Sequence, residues 1–60
     1  MKLYIYKVIR ESLDGKQGKR TRLYYTSDPL RVGGLYPHLG EGFPGIYRVL
    51  ELKSSEDLDS

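Results

Sequence analysis

The sequence predicts an all-β fold: a small barrel, or a strongly coiled antiparallel sheet of three to five strands, with at most one short helical turn. Three observations predict it. β-Branched and aromatic residues gather in runs that glycine, proline and aspartate separate. No segment supports a helix longer than one turn. A three-stranded sheet with one bare apolar face is not stable alone in water, so a chain of 60 residues with no helix to cover it must coil on itself.

The first strand is read over about Lys2 to Glu11, where Leu3, Tyr4, Ile5, Tyr6, Val8 and Ile9 dominate. Leu13 to Lys19 holds an Asp-Gly pair and a second glycine and reads as a hairpin loop. A second strand follows over Lys19 to Ser27. Asp28 and Pro29 suit a cap and a first turn position, so Leu30-Arg31-Val32 is expected to form one helical turn before Gly33-Gly34 stops it. Leu35 and Tyr36 read as a short strand, and the Gly/Pro-rich stretch to Gly45 as an ordered loop. Ile46 to Lys53 is the last clear strand. Residues 1–53 thus make one small β domain, with 54–60 an acidic tail expected to fray. Glycines at 33, 34, 40, 42 and 45 supply the corners of an SH3-like or OB-like barrel. A sheet closed by a second copy is the alternative, and the chain is expected to be a monomer or weak dimer.

Side chains alternate along a strand, so the hairpin register decides the chemistry of each face. A two-residue Asp14-Gly15 turn sets Ile9 opposite Arg20 and mixes aliphatics with charges on one face. A loop from Asp14 to Gly18 sets Ile9 opposite Leu23. That second register segregates Leu3, Ile5, Ile9, Leu23 and Tyr25 from Tyr4, Tyr6, Val8, Arg10, Arg20, Arg22 and Tyr24. Burial rewards segregation, so the second register is favoured, with the aliphatic side inward and Arg10 facing Arg22. Such a like-charge pair costs a few tenths of a kcal/mol or more, roughly.

Composition narrows the function classes. There is no cysteine, hence no disulfide framework and no thiolate zinc site. No apolar run is long enough to span a membrane, and the opening Met1 to Lys7 is too short and charged for a secretory leader, which points to the cytosol. The net charge of +2 hides an asymmetry. Through Arg48, nine Lys/Arg face four carboxylates; from Val49 onward, one lysine faces four. A basic body of this kind can attract polyanions, but the plainer reading, that these charges keep a small domain soluble, is preferred.

Three constellations could carry chemistry. On the Tyr/Arg face, Tyr4, Tyr6 and Tyr24 could stack on bases while Arg10, Lys19, Arg20 and Arg22 pair with phosphates, as in single-stranded nucleic-acid binders. The plainer reading is half-buried strand tyrosines with arginine stems packed over them. His38, the only histidine, stands in the Gly/Pro loop with no ligand spacing around it, so a structural role is expected and no metal or cofactor. Phe43, between Gly42 and Pro44, is either a plug in the core or an exposed anchor for a partner; the plug is preferred because large apolar groups are few. Gly40-x-Gly42-x-x-Gly45 matches dinucleotide spacing but precedes a strand, which removes it as a phosphate loop. No hydroxyl lies in a nucleophile-elbow pattern, and a domain this small is expected to lack an enclosed pocket of about 300 Å³ or more, so no enzyme is expected.

Gly34-Leu35-Tyr36-Pro37-His38-Leu39-Gly40, followed by Tyr47-Arg48-Val49-Leu50, resembles a group of small bacterial SH3-like barrel proteins with a Gly-x-Tyr-x-His segment and a Tyr-x-Val-Leu strand. Residues 41–46 would be an insertion, and the first thirty residues have no counterpart there. The resemblance implies a barrel and adds no weight to any function. The expectation is therefore a non-enzymatic binding module for a protein partner, with single-stranded nucleic acid as the alternative and no membrane.

Overall fold

A computed structural model describes residues 1–58. It is all-β, with strands β1 (Lys2–Glu11), β2 (Gln17–Thr26), β3 (Leu35–Tyr36) and β4 (Tyr47–Asp57). They form one antiparallel sheet in the order β2-β1-β4-β3. The sheet is curled and stays open, elongated to 44 × 20 × 17 Å, so the coiled-sheet form of the expectation is the one adopted. No helix occurs among the described residues, and therefore none long and apolar enough to cross a membrane.

The hairpin adopts neither expected register. Ile9 lies opposite Thr21, and Glu11 opposite Gln17, with the register shifting around Arg10. The loop is shorter than expected because Ser12 and Lys16 close it. The Ser12 amide donates to the Lys16 carbonyl (2.8 Å), and Asp14 takes bonds from the Ser12 hydroxyl and the Lys16 amide. Gly15 has a φ of 86°, which a residue with a Cβ rarely adopts. The pairing differs from the favoured register by two residues, so the membership of each face is unchanged. Arg22 faces Val8 instead of Arg10, and the like-charge pair is avoided.

Which face turns inward is the main correction. The core is Tyr6, Val8, Leu39, Tyr47 and Val49, with Tyr4, Tyr24, Leu30, Tyr36 and Phe43 packed against it. The sheet has curled around its phenols, and Leu23 and Tyr25 of the aliphatic face are exposed. The reason lies in what covers the sheet. On either side of β3, irregular chain around Leu30 and from Leu39 to Phe43 lies against the inner face, and its backbone polar groups need partners there. Tyrosine supplies both a ring to bury and a hydroxyl to bond. The Tyr6 hydroxyl accepts from the Leu30 amide (2.8 Å) and donates to the Leu30 carbonyl (3.2 Å). The Tyr24 hydroxyl donates to the Leu39 carbonyl, and the Tyr36 hydroxyl accepts from the Arg31 amide (2.7 Å).

Two further expectations change. Leu30 to Val32 forms no helical turn; the Asp28 amide donates to the Thr26 hydroxyl (3.0 Å) in place of a cap, and Leu30 is held by Tyr6. β4 continues through Ser54, Ser55, Glu56 and Asp57, because the first half of β1 gives those residues a ladder partner. The rest of the tail, beyond 58, lies outside the described residues. The β1–β4 pairing contains two register shifts, which add an extra β4 residue at each site and increase the local twist.

Candidate functional site

The Tyr/Arg face is largely occupied by the fold itself. Tyr6 is only 3% exposed, and Tyr4 stacks on it with centroids 6.1 Å apart. Tyr24 meets Phe43 edge-on at 5.1 Å, and Phe43 meets Tyr47 at 5.4 Å. The Arg22 guanidinium lies 3.9 Å from the centre of the Phe43 ring and donates to the Gly42 carbonyl (2.5 Å) and the Tyr47 hydroxyl (3.3 Å). Phe43 is therefore built into the core edge by two rings and a cation. Lys19 and Arg20 are exposed on β2, at the sheet edge, and Arg10 is exposed at the hairpin end. His38 is exposed, with no hydrogen bond among the described residues, so it does not donate to a backbone carbonyl.

The outer face carries two different surfaces. Toward the open end of the hairpin, Ile5 pairs with Tyr25 and Lys7 with Leu23; Leu23 is 47% exposed and Tyr25 57%. Leu35, paired with Arg48 at the opposite edge, is also 47% exposed. Leu23 and Tyr25 lie together on the β2 edge of this face, and Leu35 stands apart on the β3 edge.

Nearer the hairpin loop, the same face is closed by an ion pair. Glu11 is buried, and both its oxygens are used: Oε1 accepts from Arg48 Nε (2.7 Å) and Gln17 Nε2 (3.0 Å), Oε2 from Arg48 Nη2 (2.9 Å). Arg48 also donates to the Gly33 carbonyl (2.7 Å), so one guanidinium joins β1, β4 and the loop. This bidentate bond to Arg48, with the Gln17 amide adding to it, holds the Glu11 carboxyl down from 4.5 to about 2. Ile9, directly opposite Arg48, is buried.

At the hairpin end an open cleft of about 430 Å³ runs between the loop and Gly45-Ile46. The sequence anticipates no enclosed pocket of this volume; the hairpin and the end of segment 27–46 create an open one between them. Its polar lining includes Arg10, Lys16 and Gln17, of which only Arg10 stands out in the sequence. The pair Glu11 and Arg48 was equally illegible, since 37 positions separate them. No group of three or more metal-ligating side chains occurs among the described residues. No known protein family, curated protein or solved structure matches the chain.

Proposed function

We propose that this chain is a cytoplasmic, non-enzymatic binding module whose partner is another protein. The outward Leu23 and Tyr25, backed by Ile5, carry the reading: they are large, apolar and uncovered in a sheet that buries its tyrosines elsewhere. The partner covers this outer face. Nucleic-acid binding is the alternative; it draws on the exposed Lys19 and Arg20, and less on rings that are already packed.

A pull-down at native salt compares the wild-type chain with a Leu23→Ser/Tyr25→Ser double variant. The expected result is a protein captured by the first and lost from the second, with both unfolding at similar urea concentrations. Equal capture by both removes the outer face from the proposal. A labelled mixed-sequence oligonucleotide titrated at low and moderate salt tests the alternative. Salt-sensitive binding abolished by Lys19→Ala with Arg20→Ala, in the absence of a protein partner, would replace the first reading with the second.

A further inference from the structure

We propose that the cleft at the hairpin end binds a carboxylate carried on a short apolar group. The inference goes beyond the protein-binding reading, because the cleft shares no residue with Leu23, Tyr25 or Leu35. It rests on two unpaired cations in a preformed cleft. Arg10 and Lys16 both line it, and neither side chain has a hydrogen bond or ion pair among the described residues. The carboxylate beside them, Glu11, does not neutralise them, since Arg48 and Gln17 occupy both its oxygens.

The cations are also positioned. Arg10 sits where the β1–β2 register shifts, between two glycines. A Cβ on Gly18 would come within 3.6 Å of the Arg10 carbonyl oxygen. A Cβ on Gly45 would come within 3.0 Å of Arg10 Nε, so the guanidinium lies against bare backbone there. Gly45 also has a φ of 91°, so any other residue at that position is strained as well as crowded. Lys16 stands on a loop tied by its own backbone: its amide donates to Asp14, and its carbonyl accepts from Ser12.

Charge and lining select the ligand class. With Glu11 already paired to Arg48, Arg10 and Lys16 give the cleft a positive field that favours an anion, and the Glu11 carboxylate in the same wall disfavours a phosphate dianion relative to a single carboxylate. A planar guanidinium fits a carboxylate through two parallel bonds. Leu13, 93% exposed, and Ile46 line the cleft as apolar surface for a short hydrocarbon. A free carboxylic acid and the C-terminus of a peptide offer the same chemistry.

The full chain is titrated with hexanoate, hexanamide, inorganic phosphate, and a short peptide ending in leucine with a free or amidated terminus. The amide signals of Gly18 and Gly45 are followed by NMR. Saturable shifts with the acids, and binding weaker by about tenfold or more with the amides, are expected from a charge-assisted site. Hexanoate and peptide acid binding alike identifies the carboxylate as the determinant; peptide acid alone identifies a chain terminus. Arg10→Gln is expected to weaken acid binding by about tenfold and Lys16→Gln by about threefold. Equal binding of acid and amide, tighter binding of phosphate than hexanoate, or no shift at either glycine overturns the proposal. Should Arg10→Gln fail to fold, the acid-against-amide comparison on the wild-type chain and Lys16→Gln decide it.

Discussion

Tyr24 and Tyr25 are neighbours in the chain and opposites in the fold. Tyr24 points to the inner face, meets Phe43 edge-on and donates its hydroxyl to the Leu39 carbonyl. Tyr25 points outward opposite Ile5 and is 57% exposed. The same contrast runs along the whole sheet. Inside, phenols fasten irregular chain over Val8 and Val49; outside, Leu23 and Tyr25 lie exposed beside the Lys7–Glu51 and Glu11–Arg48 ion pairs. Hydrophobicity alone therefore did not choose the buried face. The choice followed from the cover, because irregular backbone can be buried only against side chains that bond it.

The largest break in this contrast is expected from Tyr6→Ala. It removes a buried ring and both bonds to Leu30, and should cost about 3–5 kcal/mol in urea unfolding, against less than about 0.5 kcal/mol for a substitution at Tyr25. A comparable loss at Tyr25 would mean that the outer face is buried after all. Tyr24→Phe keeps the ring and deletes only the hydroxyl bond, so about 1 kcal/mol is expected, with hydrogen exchange at segment 39–43 rising more than in β1. Unchanged exchange there would remove the fastening role.

The most confined effect is in acid. Glu11 has its carboxyl depressed, so its stabilisation is complete above its ordinary 4.5 and is lost as pH falls toward about 2. Asp14, also held low, by the Ser12 hydroxyl and the Lys16 amide, contributes an acid loss of its own. Urea midpoints of wild type and Glu11→Gln should therefore converge between those two pH values; parallel curves would show that the Arg48 pair does not contribute.

The strands were legible because their composition is local: β-branched and aromatic runs bounded by turn residues mark β1, β2 and the start of β4 wherever they pack. Burial was not legible by the same means. Counting aliphatics favoured Ile5, Ile9 and Leu23, although Lys7 interrupts that row. The parity of Tyr4, Tyr6 and Val8, repeated in Tyr47 and Val49, is the signal that singles out the inner face. Ile9 is buried, but on the outer side, opposite Arg48. The bond between Glu11 and Arg48 and the cleft at Arg10 depend on where distant segments meet, which no local pattern encodes.

The two bulges of β4 carry a consequence for how this gene could change length. From Val8↔Val49 to Ile5↔Ser54 the pairing shifts by two residues in all, one taken up by Leu50 and one by Lys53, while the paired residues on either side of each keep their alternation. Deleting the codon for Leu50, for Lys53 or for both would leave every β1–β4 pair and its facing intact and only relax the local twist, whereas a deletion in a bulge-free strand flips everything beyond it.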